Sequence, residues 1–406
     1  MQNELLIEQL NSKSALVRGA ALKLLKRREL KDVSLKPVLN DEEITLNIHT
    51  YFSFSPYSPT QAAYSAYKRG VKLACVCDYA TTSGVKEFFA GCRRLGVIPV
   101  AGVEITAVNG DKLWPVSVYG LSEKDCRDVE PFLKKFRLTR IENARRAAEQ
   151  INRRFKKSGV SIDFDKDVLP NVKTKKGGTV TYKHIYYAFG QKLIEKFGQG
   201  KPLADVIRYK LCVDVSESEY NLLCDGKNPF YIYDLVLALR ANLHFSSPEG
   251  LPSLEKVIAA ISARSLITAC EFKSAASWLE NELGDDKARA EFEKFVTEAK
   301  TLGFNAVCLH SKNISEKTLE VYAGILKANE MLAIPLERIE YPRSKFESKV
   351  SSPLKAMFAK CGYAIAGNAE SVKNNTDDGL FSKKTVENCP DFSQRLGVFA
   401  AIGMRS

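Results

Sequence analysis

Apolar residues change their spacing several times along the chain, and each change marks a different kind of element. Leu5, Leu6 and Leu10, then Ala15, Leu16, Ala20 and Leu24, fall at helical spacing with basic residues between them. Ser12 or Ser14 can cap the second of these pieces. From residue 43 the pattern becomes short apolar runs alternating with longer amphipathic stretches. ITLNI (44–48) precedes a helix over 60–69, and KLACVC (72–77) precedes one over 83–95. VIPVAG (97–102) and WPVSVYG (114–120) read as further strands. Strand-helix alternation of this kind predicts a parallel sheet with crossover helices.

The middle of the chain breaks that rhythm. Residues 131–157 read as one long helix that Ser158-Gly159 ends. Residues 170–180 form a polar Gly/Lys loop, and 181–198 return to helical spacing. Alternation resumes at ALRANLHF (238–245) and runs through FNAVCLH (304–310), EMLAIPL (330–336) and GYAIAG (362–367). The expected architecture is α/β. A helical leader (1–40) precedes a barrel in two parts (41–124 and 236–406, the latter with a C-terminal extension). A basic, mainly helical insertion (125–235) interrupts it. The most apolar stretch, 257–270, contains Ser262, Arg264 and Ser265, so no membrane span is expected. Glu4 and Glu8 stand where a signal peptide carries positive charge, and ten scattered cysteines form no CxxC pair. The expectation is a cytoplasmic protein with reduced thiols and no thiolate-bound zinc.

Charge sharpens this picture. The chain has 60 Lys+Arg against 48 Asp+Glu, a net +12. Residues 131–201 alone hold eighteen basic and six acidic residues, so the whole excess sits in the insertion. Such a basic helix is either a solvated face or a lid over a polyanion. Arg137, Arg140 and Arg145 can share one side of it, and Tyr182, Tyr186 and Tyr187 either stack on bases or pack helices. Gly177-Gly178 is followed by no Lys-Ser/Thr, so it is no phosphate-binding P-loop. Cys77 has no histidine paired with it in sequence and reads as a small buried hydrophobe.

In a barrel of this kind the strand ends face the ligand. The first predicted strand ends Asn47-Ile48-His49, whose two polar side chains point to the same side. The second ends Cys77-Asp78-Tyr79 and the third Gly102-Val103-Glu104, while a later one carries Leu243-His244-Phe245. Imidazoles and carboxylates at successive strand ends can form a metal or acid-base site.

NIHTYFSFSPYSPTQAAYSAYKRGVKLACVCDYATTSG, followed by GVIPVAGVEIT, resembles the opening of the polymerase-and-histidinol-phosphatase (PHP) family. That family begins with an Asp-Leu-His-x-His-Thr strand and a Ser-Asp-Gly loop, then has Thr-Asp-His and Gly-x-Glu strand ends. More loosely, the stretch from TRIENARRAAEQ through TYKHIYYAF resembles the arginine-rich insertion of the family's nucleotide phosphatases, ANLHFSSPEG its Ala-His-Pro strand end, and the stretch from FNAVCLH its last crossover. The resemblance implies a distorted (β/α)7 TIM-like barrel that holds up to three zinc, manganese or iron ions and hydrolyses phosphate esters with a metal-bound hydroxide.

Residue by residue the chain departs from that pattern. Asn47 replaces the first His of His-x-His, Phe54 the loop Asp, and Tyr79 the His of Thr-Asp-His; His49, Asp78 and Glu104 are kept. Ser117 is the nearest occupant of the next strand's histidine position. The closing Asp-x-His is absent: in LERIEYPR, Arg338 stands near the Asp, and in AGNAES, Asn368 and Glu370 replace the pair. The expected metal ligands are then His49, Glu104, His244 and Asn47, holding no metal or one divalent ion weakly. The expected phosphate-binding set is Arg140, Lys183, His184, Tyr79 and Arg338. Glu104, Asp78 and His49 are the residues for any catalysis. These departures predict a metal-poor, weak or inactive phosphoesterase-like protein that binds a phosphorylated or acidic ligand, either a small molecule or a short nucleic acid. The alternatives are an active, atypical metal-dependent phosphoesterase of the phosphatase or nuclease class, and a non-catalytic scaffold.

Overall fold

The computed structural model describes residues 2–272, 285–310, 314–347 and 349–406. Seven strands form one sheet in chain order: β1 (Asn40–Ile48), β2 (Val71–Tyr79), β3 (Ile98–Asn109), β4 (Lys112–Tyr119), β5 (Ile267–Glu271), β6 (Ala306–Leu309) and β7 (Leu332–Pro335). All neighbours are parallel except β4, which runs against both β3 and β5. A two-residue turn with Gly110 at φ 57° makes the β3–β4 hairpin. Beyond β7 the chain reaches back to β1: the His49 amide donates to the Ile339 carbonyl (3.0 Å), and the Ile339 amide donates to the Asn47 carbonyl (2.9 Å). The sheet is thereby nearly closed into a distorted TIM-like barrel, as expected, but the all-parallel order that the alternation predicts fails at β4, which a tight hairpin joins to β3 without a crossover helix.

The crossover helices Pro59–Lys68 and Val85–Leu95 fall where the apolar spacing puts them. Ser58 caps the first, accepting from the Gln61 amide (3.0 Å), and Pro59 supplies the preset first turn. The two leader helices, Gln2–Gln9 and Ala15–Lys31, lie on this side of the barrel. Buried Arg18 fastens them there through a two-pronged ion pair with Glu87, which also accepts from Thr60.

The β4–β5 connection is the insertion. Its long helix starts at Glu123, earlier than expected, because a reciprocal capping box of Ser122 and Asp125 fixes the first turn; Pro131 lies inside it. The helix ends at Arg154, and Gly159 takes the left-handed conformation shortly after. This segment has its own core, including Ile151, Phe155, Ile185, Phe189, Leu235 and Leu239. Phe54 and Tyr341 from the barrel mouth are buried in the same core and dock the insertion onto the barrel.

Two expected strands are helices. Residues 238–245 do not form a strand: a helix spans Tyr231–Asn242, and Leu235, Val236, Ala238 and Leu239 are buried on it. Short apolar runs do not separate the two periodicities. The strand that follows the insertion is Ile267–Glu271, and the insertion's packing continues past residue 235 to Leu243. GYAIAG (362–367) lies within the helix Ser352–Ser371, whose small residues allow a close crossing by the helix Phe392–Gly403. A Cβ on Gly367 would meet the Phe399 carbonyl oxygen at 1.9 Å. Gly367→Ala is therefore expected to destabilise the fold by at least about 2 kcal/mol. Denaturant unfolding of the two proteins checks this; an unchanged midpoint would contradict the crossing.

Candidate functional site at the barrel mouth

The polar ends of β1, β2, β3 and β5 converge with the segment after β7. Asn47 is fully buried and donates to Glu104 Oε1 (2.7 Å), while its amide oxygen meets His49 Nε2 (2.8 Å). His49 stacks on Tyr79 with ring centroids 4.5 Å apart. Burial pushes the His49 imidazole down to about 4, against the pull of Glu104. Asp78 accepts from the Thr50 amide (2.6 Å), the Thr50 hydroxyl (2.7 Å) and Ser53 Oγ (2.5 Å). It thus holds the 50–53 loop in place. Burial raises its carboxyl to about 6 despite those bonds.

Arg338 enters this cluster from the closing segment. Its guanidinium donates to Glu104 Oε1 (3.3 Å) and Glu271 Oε2 (3.0 Å), joining two buried carboxylates from different strands. Glu271 also meets His310 Nε2 (2.6 Å). Although burial opposes it, the charges of Glu104 and Glu271 hold Arg338 firmly protonated.

On the insertion side, Lys183 is buried and ion-paired with Glu340, which Arg240 also approaches (3.2 Å). Burial lowers the Lys183 ammonium to about 8; Lys183, His49 and Arg240 hold Glu340 at about 2 although burial alone would raise it. His184 accepts from the Thr181 amide (3.1 Å) and so caps its own helix, Tyr182–Phe197. Phe54 sits edge-on against the His184 ring (5.0 Å) at φ 84°, a strained backbone for a non-glycine residue.

A pocket of about 190 Å³ opens between barrel and insertion. Tyr79 and Thr106 wall it from the strands, Arg140, Val180 and Tyr182 from the insertion, and Leu251 from the segment after it. Arg140 Nε donates to the Val180 carbonyl (3.0 Å), and its guanidinium lies 5.7 Å from the Tyr79 ring centroid.

Of the residues expected at the site, Asn47, His49, Asp78, Tyr79, Glu104 and Arg338 come together, and Arg140 lines the adjoining pocket. His244 does not join them at a strand end: it follows the helix Tyr231–Asn242 in an exposed loop. Asn368 is used inside its helix region, donating to the Ser265 carbonyl (2.9 Å) and accepting from the Leu380 amide (2.8 Å); Glu370 pairs with Lys373. Ser117 pairs with Glu104 across β3 and β4. Arg137 is paired with Glu130 and Arg145 with Asp165. Tyr186 stacks on Phe245. Cys77 is buried, which pushes its thiol well up and leaves it inert. Sequence reasoning missed Glu271, Glu340 and Arg240. Arg338-x-Glu340 carries the spacing of the absent Asp-x-His, which could have flagged Glu340.

These residues do not fit a metal centre. His49 Nε2 faces the Asn47 amide, Glu104 is shared by an amide and a guanidinium, and Arg338 supplies a charge that cannot be titrated away. Among the described residues no group of three or more His, Cys, Asp or Glu side chains is placed to hold an ion.

No protein-family model matches the chain. A 61-residue stretch is 33% identical to a 5'-3' exoribonuclease of Haemophilus influenzae. It covers 15% of this chain and 22% of that protein, so the chain matches about a fifth of its length. Among solved structures, a candidate metal-dependent phosphoesterase from Bifidobacterium adolescentis superposes with a TM-score of 0.52 at 18% identity, over 80% of this chain and 97% of that one. An amidohydrolase from Chromobacterium violaceum, with bound sulfate and no metal, gives 0.48 at 16% identity, over 74% and 88% of the two chains. At 18% identity the first structural likeness shows the fold alone, a distorted TIM-like barrel. Among the described residues no helix is long and apolar enough to cross a membrane.

Burial sets a pH dependence. It lowers His49 to about 4 and His184 to about 3, from an ordinary 6.5. Between about pH 4 and 6.5 the unfolded chain takes up protons there that the folded chain refuses, so stability rises with pH. Asp78, raised to about 6, acts in the opposite sense from about pH 4 to 6, and two imidazoles outweigh one carboxyl. His184→Gln keeps the helix-capping acceptor and removes the titration. It is expected to flatten the rise by up to about 1.4 kcal/mol per pH unit. Unfolding titrations across this window check it; an identical slope would show that His184 does not stay neutral in the fold.

Proposed function

We propose that this chain is a PHP-like protein of the phosphoesterase fold that works without a metal cluster and binds a phosphorylated or acidic ligand at the barrel mouth. The observation that carries this reading is the Arg338 guanidinium held between Glu104 and Glu271. In the resembling family, cations at such strand ends activate water and stabilise phosphoryl oxygens. Here a covalently attached cation serves the carboxylates instead, and it can neither coordinate water nor leave. Asn47 and Tyr79, in positions where the family has histidines, further support it. The pocket beside the cluster presents Arg140 to an incoming anion.

The alternative, an active phosphoesterase, is separated by metal analysis of protein purified without chelator and by turnover of a phosphoester panel under added manganese. The expected result is well below one metal ion per chain and no hydrolysis above the protein-free rate. Stoichiometric metal with turnover abolished by Glu104→Gln would overturn the proposal.

A further inference from the structure

We propose that the pocket between barrel and insertion binds a small monoanionic carboxylic acid bearing an aromatic or other apolar group, its carboxylate on Arg140. This rests on the reading of the barrel mouth as an acidic-ligand site and narrows it.

The first ground is an imbalance of charge. Nearly every other basic side chain near the pocket has an acidic partner: Arg137 with Glu130, Arg146 with Glu249, Lys183 and Arg240 with Glu340, Arg338 with Glu104 and Glu271. Arg140 makes no ion pair among the described residues; Nε is bonded to a carbonyl, and neither terminal Nη group has a hydrogen-bond partner there. A half-buried guanidinium without a counter-ion favours an external anion. Its planar fork matches the two oxygens of a carboxylate.

The second ground is the wall. Among the described residues Arg140 is the one charged side chain lining the pocket. A phosphate monoester carries about −1.5 to −2 at neutral pH and needs more than one cation, whereas a carboxylate is balanced by one. The remaining wall is mainly apolar, with Ala144, Val180, Pro248 and Leu251 beside the Tyr79 and Tyr182 rings. Thr106, Tyr79 and Tyr182 carry hydroxyls with no partner among the described residues, and these can complete the carboxylate's bonding. The volume, about 190 Å³, lies below the roughly 300–1,000 Å³ of drug-sized sites. It suits one ring and a head group, and a dinucleotide does not fit.

Calorimetric titration of the full chain with benzoate, phenyl phosphate and inorganic phosphate tests this. Benzoate is expected to saturate, with both phosphates at least about 10-fold weaker, and Arg140→Met is expected to weaken benzoate by at least about 10-fold with an unchanged melting curve. If that variant unfolds, Leu251→Trp, which fills the pocket from its apolar side, is expected to abolish the same signal. Tighter binding of phenyl phosphate would overturn the carboxylate class and leave the acidic-ligand reading standing. Binding of benzoate untouched by either variant would overturn the location. Absence of saturable binding for all three anions would overturn both.

Discussion

Two buried carboxylates on separate strands, Glu104 and Glu271, require a cation between them, and Arg338 is that cation. Left alone, two such groups would carry a desolvation penalty of several kcal/mol each. The rest of the mouth is arranged around this neutralisation. Asn47 donates to Glu104 and accepts from His49, so the imidazole is tied to the same carboxylate at one remove. Burial then keeps that ring neutral, which spares the centre a second positive charge. The amide at 47 and the guanidinium at 338 belong to one electrostatic solution, in which the carboxylates are satisfied from within the chain.

A centre satisfied from within has little left to offer a ligand. The capacity for recognition moves outward, across Tyr79. That ring stacks on His49 and is approached by Lys183 (4.9 Å) and Arg140 (5.7 Å). It separates the closed ionic cluster from the open pocket. The positive excess of the insertion changes meaning in the same way. A minority of its basic residues pair with acids, as in Arg137–Glu130, Arg145–Asp165 and Lys192–Asp167. These pairs help hold the insertion together. In the pocket, the excess reduces to Arg140.

The barrel was legible in the sequence where both periodicities were long. β1 to β4 and their two crossover helices came from alternation of apolar runs with amphipathic stretches. It failed at residues 238–245 and 362–367, where runs of only six to eight residues do not separate a buried helix from a buried strand. In the helix Ser352–Ser371, Gly367 answers to the close helix crossing, while a Cβ on Gly362 would meet the Ile44 side chain of β1. In the site, the residues at the ends of the long strands, Asn47, His49, Asp78, Tyr79 and Glu104, were readable because alternation fixes where they point. Glu271 was not, since β5 is short and sits far along the chain behind the insertion. Nor can any single sequence say which carboxylate an arginine will meet; Glu271 and Arg338 are joined only by the closure of the sheet.

That closure ties the whole arrangement together. Ile339 supplies the backbone bridge that returns the chain to β1, and its neighbours on either side are Arg338 and Glu340. Arg338 engages the barrel carboxylates, while Glu340 engages Lys183 and Arg240 of the insertion. One extended stretch of three residues therefore closes the sheet, neutralises the barrel mouth and anchors the insertion. A dissociable metal would leave these three events independent. An arginine and a glutamate on the bridging segment link them, because both directly flank Ile339, which pairs with β1. The insertion is then positioned by the same backbone bridge that completes the barrel. That gives the pocket two walls, one from the strands and one from the insertion.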